Sequence, residues 1–159
     1  MDEKSLALRR AFGKFATGVA VVTTSDATGA PVGLTINSFS SVSLEPALVL
    51  WSLTSISPKL DIFRKASHFA INILAEDQRA ICETFAKRSP DRFAKIDWHR
   101  GIADLPVIAN TLATFECRRT MTTEAGDHVV FFGEVQECEQ SDLDPLLFFS
   151  GKYGTAQIR

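Results

Sequence analysis

The chain has 159 residues, 45% of them apolar and 23% charged, with a formal net charge of -2. That is the size of one domain, residues 1–159, able to bury a core without staples, and its charge offers no basic field to nucleic acid. No apolar run approaches the thickness of a bilayer, the charged start Met1-Asp2-Glu3-Lys4 is not a secretory signal, and the odd, widely spaced Cys82, Cys117 and Cys138 fit a reducing cytoplasm.

In chain order, residues 4–16 read as a helix. Leu8, Ala11, Phe12 and Phe15 recur at three- and four-residue steps and make one apolar face. Thr17-Gly18 stops it. Val19–Thr24 is a β-branched run and a predicted strand. Asp26-Ala27-Thr28-Gly29 is turn chemistry, with a second strand near Val32–Thr35. Ala47–Leu53 is a third strand, apolar enough to be buried on both sides, and Phe69–Leu74 is a fourth. A helix from Ser57-Pro58 to about Lys65 buries Leu60 and Phe63, and another over about Glu76–Lys87 buries Ile81 and Phe85. Residues 89–110, with Pro90, Gly101 and Pro106, read mostly as loop with at most a short helix. Two long strands follow, about Thr111–Met121 and Val129–Glu139, with Thr122–Asp127 as their hairpin turn; a last strand lies near Leu146–Ser150.

Strands dominate and the helices do not alternate with them. The pattern predicts a mainly β fold, an antiparallel barrel with peripheral helices rather than a doubly wound sheet. No G-x-G-x-x-G occurs, so a Rossmann dinucleotide site is not expected. His68, His99 and His128 stand singly, and no pair of Cys or His has a metal-ligand spacing.

Three segments carry candidate chemistry. Gly33–Ser41, with Thr35, Asn37, Ser38 and Ser41, is rich in short hydroxyl and amide side chains; it reads as a surface turn or as an edge for a polar ligand. In Ser57-Pro58-Lys59, Ser57 is placed to cap a helix and Pro58 suits its first position. Lys59 then opposes the helix dipole, a misfit removed either by solvent or by a phosphate between helix end and ammonium. In Gly126-Asp127-His128 the imidazole can face solvent, a partner chain or a ligand, and can relay a proton near neutrality.

Together these residues resemble a known family, the flavin reductase-like proteins, small FMN-binding split-barrel reductases of two-component monooxygenases. The resemblance runs over nearly the whole chain. It includes Phe15–Val19 with the following Val-Val-Thr-Thr, Gly33–Ser43, Pro46, Ser57–Lys59, Phe69–Leu74 and Phe85-Ala86. It closes with Gly126–His128, Gly133-Glu134-Val135, Pro145–Phe148 and Gly151-Lys152-Tyr153. It implies a homodimer of antiparallel split β-barrels with FMN, or FAD in its place, near the subunit interface. Thr35, Ile36, Asn37, Ser38 and Ser41 would then meet the flavin's pyrimidine side and ribityl region. Trp51, Ser52 and Leu53 would line the isoalloxazine, Ser57, Pro58 and Lys59 would hold the phosphate, and Phe85 and Ala86 would sit near the flavin tail. His128 and Tyr153 would lie on the nicotinamide side. The implied activity is hydride transfer from NAD(P)H to flavin, supplying a partner flavin-dependent monooxygenase. The alternative is an FMN-binding electron carrier or sensor on the same barrel.

Overall fold

The computed structural model describes residues 2–156. The chain is mainly β, 48% strand and 22% helix. Helix α1 (Glu3–Phe12) starts at Asp2, whose carboxylate accepts from Ser5 N at 2.7 Å. It ends four residues before the predicted limit. Among the described residues its apolar face finds no partner: Leu8 is 47%, Phe12 73% and the following Phe15 79% exposed.

Strands β1 (Thr17–Gly18), β2 (Ala20–Ser25), β3 (Pro31–Ile36), β4 (Ser40–Leu44) and β5 (Ala47–Thr54) precede helix α2 (Leu60–Lys65). Then come β6 (His68–Ile73), helix α3 (Arg79–Ala86), and a short hairpin of β7 (Trp98–Arg100) and β8 (Pro106–Ile108). The long strands β9 (Ala113–Ala125) and β10 (His128–Gln140) are followed by β11 (Leu146–Phe149) and β12 (Lys152–Thr155). The main sheet is antiparallel throughout, in the order β3-β2-β6-β9-β10-β5-β4, and β1-β11-β12 form a second sheet. Strands β3 and β4 are its two edges and do not pair with each other. Among the described residues no helix is long and apolar enough to cross a membrane.

β2 lies between two cores, which explains its unbroken apolar run. Ala20 and Val22 join Trp51, Phe63, Phe69 and Phe131; Val19, just before the strand, and Val21 join Leu74, Cys82, Phe85 and Phe93. The Trp51 ring stacks on Phe131 at 4.6 Å and meets Phe63 edge-on at 4.9 Å.

Several expected boundaries shift. The turn expected over Thr122–Asp127 shrinks to Gly126-Asp127, because β9 runs to Ala125 and pairs it with His128; Gly126 takes φ 63, the left-handed backbone a two-residue hairpin needs. The stretch 89–110 contains strands, not mostly loop. Its hairpin is held by distant groups, with Ile108 N donating to Asn72 Oδ1 at 2.9 Å and the Thr23 hydroxyl donating to Pro106 O. β4 was not expected as a strand, and β11 continues through Ser150 (φ 49) and Gly151 (φ 79) into β12.

Candidate functional site

β3 is an edge strand, so alternate main-chain groups along its outer side have no strand partner. Gly33 lies in its middle, where a Cβ would come 2.9 Å from the Phe85 ring. The missing side chain lets α3 press onto β3, and Phe85 in turn meets Phe93 edge-on at 5.0 Å. Phe93, next to Arg92 in the chain, is buried.

Two cations converge on the Gly33 carbonyl. Lys59 Nζ donates to it, and Arg92 Nη1 donates to it at 3.2 Å. Arg92 Nη2 also donates to the Lys87 carbonyl, while its Nε is buried without a partner among the described residues. No carboxylate pairs with either cation among the described residues. Burial, and then the Arg92 charge, pull the Lys59 ammonium down to about 8. Burial lowers Arg92 as well.

The expected cap at Ser57 is corrected here. Ser57 O accepts from Leu60 N at 3.1 Å and Ser57 Oγ from Lys59 N at 3.3 Å, which folds Ser57-Pro58-Lys59 into a turn. Helix α2 therefore begins at Leu60, with Lys59 at its N-cap. Lys59 does not oppose the dipole from within the first helical turn; it reaches sideways to β3.

The serine-rich link joins this seat to β5. The Ser38 hydroxyl donates to Ser52 O and accepts from Ser52 N, both at 3.0 Å. Thr35 donates its hydroxyl to Cys82 O of α3 at 2.7 Å. Those two hydroxyls, expected at a ligand, thus hold elements together. Asn37 is exposed, and its amide makes no hydrogen bond among the described residues. Ser41 is exposed on β4, opposite Val49. Trp51 and Leu53 point into the core, 0% and 5% exposed, so only their backbone can line a site; Ser52, between them, faces the other way. Phe85 is buried, whereas Ala86 and Pro58 are exposed.

The hairpin tip meets the same stretch of β5. His128 pairs with Thr54, and Ser55 N donates to Asp127 O at 2.9 Å. His128 Nδ1 and Asp127 Oδ1 are 2.7 Å apart, and the hydrogen bond from His128 holds the Asp127 carboxyl below its ordinary range. Tyr153 belongs to the other end of β3. It lines a cavity of about 170 Å³ with Val19, Thr35, Ile36, Asn37 and Phe148. Its contact with the Cys82 thiol, with burial, pushes the phenol up to about 12, so it stays protonated. No hydrogen bond or ring contact joins it to His128 among the described residues.

The structure thus gathers Gly33–Ser38, Ser52–Lys59 and Phe85-Ala86 around one strand edge. A larger cavity, about 520 Å³, lies elsewhere, by Thr24, Asp61, Lys65 and His68, and contains none of the expected residues. Sequence reasoning missed Arg92. The available signal was a cation beside an apolar aromatic, Arg92-Phe93, in a stretch without periodicity.

Comparison with known proteins gives the family. A family described as "Flavin reductase like domain" matches residues 12–157. The FMN reductase (NADH) SmoA of Agrobacterium fabrum is 45% identical over 152 residues, covering 96% of this chain and 86% of that protein. The reductase component of a flavin-dependent trigonelline monooxygenase from Acinetobacter baylyi is 45% identical over 148 residues, covering 93% of this chain and 48% of that protein. The solved NADH:FAD oxidoreductase SgcE6 of Streptomyces globisporus, in complex with NAD and FAD fragments, superposes with TM-score 0.90 at 36% identity, covering 97% of this chain and 94% of that one. The chain spans about half the length of two of the first curated relatives it matches, 49% and 48%. A match over residues 12–157, with these relatives, places the chain in the flavin reductase-like family.

Proposed function

We propose that this chain is an NAD(P)H:flavin oxidoreductase that delivers reduced flavin, FMN or FAD, to a partner monooxygenase. The observation that carries the flavin site is the convergence of Lys59 and Arg92 on one carbonyl, with no carboxylate beside them among the described residues. Two cations there repel each other and gain from an anion. The residues therefore fit a phosphorylated ligand, and SmoA and the trigonelline monooxygenase component supply the precedent for reductase activity.

A bound flavin would supply the hydride-accepting ring. The chain's own residues bind and orient. Lys59 and Arg92, with the Ser57–Lys59 turn, hold the phosphate. The Asn37 amide and the backbone of Thr35, Ile36 and Ser38 meet the ring's polar edge, with Ser41, Ser52 and Leu53 around it and Phe85 and Ala86 near the flavin tail. The Ser38–Ser52 bonds keep that edge in register with β5. His128, braced by Asp127, and Tyr153, a donor but not a base, flank the nicotinamide side. Positioning two rings supplies the main rate gain.

The seven-stranded sheet is read as a split barrel, its edges β3 and β4 linked through Asn37–Phe39. A homodimer is supported by bare apolar surface, with Phe12, Phe15, Leu44 and Ile56 exposed by 73%, 79%, 96% and 91%. A cytoplasmic location is the reading that the unpaired cysteines support. Steady-state NADH and NADPH oxidation tests the function: added FMN or FAD is expected to stimulate turnover, and no stimulation by either refutes the reductase reading.

A further inference from the structure

The cavity of about 520 Å³ beside helix α2 shares no residue with the proposed flavin site. Its floor is Thr24 and Leu105, each 2% exposed. Ile62 of α2 and Ala66 after it add apolar wall, and the volume suits a small organic molecule. The opposite wall is braced from behind. The Arg100 guanidinium donates to Ser25 Oγ at 2.9 Å, to Gly29 O at 2.9 Å and to Asp104 O at 2.8 Å, which ties the β2–β3 turn to the segment before β8.

The charges on these walls decide what fits. Asp61 and Lys65 stand one helical turn apart on α2, in the order that favours an ion pair. They do not pair. Each lines the cavity, and among the described residues neither has an ion-pair partner. The other acid, Asp26, is already satisfied, since its carboxylate accepts from Thr28 N, Thr28 Oγ1 and Ala30 N. His68 is held in place, because its carbonyl accepts from Thr24 Oγ1 at 2.9 Å and its Nδ1 lies 2.8 Å from Ser67 Oγ. With Ser67 donating to Nδ1, the ring presents Nε2–H as a donor. One carboxylate, one ammonium and one imidazole donor therefore face an apolar floor. An anion alone would gain Lys65 and meet Asp61 with like charge; a cation alone would do the reverse. A molecule that carries both charges satisfies both. We infer that this cavity binds a small zwitterion with an apolar body, of the amino-acid class. Its ammonium sits on Asp61, its carboxylate on Lys65 and His68, and its apolar part on Leu105 and Ile62.

The test is titration of the 15N-labelled protein with three probes, followed by the shifts of its backbone amides. The probes are L-phenylalanine, 3-phenylpropionate, which lacks the ammonium, and phenethylamine, which lacks the carboxylate. L-phenylalanine is expected to shift the amides of Thr24, Ala66, His68 and Leu105. It should bind about tenfold or more tightly than either analogue, as one charge-assisted contact gives. Asp61→Asn and Lys65→Met change exposed side chains, so the spectrum away from the cavity should stay that of the wild type, and each should weaken L-phenylalanine about tenfold. FMN added beforehand should not displace it. No shift at the cavity with any probe, an analogue that binds as tightly as L-phenylalanine, an affinity that survives both substitutions, or displacement by FMN overturns the inference.

Discussion

Positive charge is handled in two ways in this molecule. On the outer faces each arginine of a pair has its acid: Arg79 with Glu83 at 3.0 Å, Arg118 with Glu134, Arg64 with Glu124. At the β3 edge Lys59 and Arg92 share a neutral carbonyl and, among the described residues, no acid. Exposed pairs contribute little either way, since water already solvates both partners. A half-buried cation without a partner costs folding free energy, because it loses hydration and gains only a hydrogen bond. A site that costs stability and yet sits in a well-formed corner of the fold is what the proposed phosphate would compensate.

Substitutions separate the two regions. The largest folding effect is expected at Gly33. Gly33→Val puts a side chain into the Phe85 ring and should cost about 1–3 kcal/mol, read by urea unfolding; an unchanged midpoint would show that Phe85 yields freely. His128→Ala stands between the regions, an exposed imidazole braced by one carboxylate. It should slow flavin reduction by NAD(P)H about tenfold or more through lost positioning, with flavin affinity kept; an unaltered stopped-flow rate would remove His128 from the mechanism.

Lys59→Met should stabilise the ligand-free protein by about 1 kcal/mol after allowance for solvent screening, a rise of about 2–4 °C in Tm. The sign follows from linkage. The Lys59 pKa is lowered from 10.5 to about 8, so between those values the unfolded chain holds more protons than the folded one. Wild-type stability then rises with pH across that window. The advantage of Lys59→Met should be full below about pH 8 and fade above it; an advantage that does not vary with pH would contradict the buried-charge account. The smallest effect is expected from Arg118→Met, under about 1 kcal/mol because its pair with Glu134 is exposed. A larger loss would mean that the outer pairs are not the inert reference assumed.

Local chemistry made much of this legible in the sequence. The apolar runs Val19–Thr24, Ala47–Leu53 and Phe69–Leu74 became β2, β5 and β6, and the glycine at 126 marked its hairpin. What escaped depends on contacts distant in sequence. β4 lies on an exposed edge, so no alternation of apolar residues betrays it. β7 and β8 are held by Asn72 and Thr23. The helix expected at Ser57 starts later because Ser57 closes a turn onto Leu60. Thr35 and Ser38 read as ligand groups because their chemistry suits one; only the packing of α3 and β5 shows where their protons go. Arg92 was invisible for the same reason, since its meaning comes from Gly33, 59 residues earlier.

The central claim is that the uncompensated pair at β3 holds a flavin phosphate. The most direct measurement is the affinity of FMN and of riboflavin for the wild type and for the Lys59→Met, Arg92→Gln double variant at pH 7. Two lost charge-assisted contacts should weaken FMN about a hundredfold or more, bring it level with riboflavin, and leave riboflavin within about twofold of its wild-type value. Equal weakening of both ligands, or an FMN affinity that survives the double change, would contradict it.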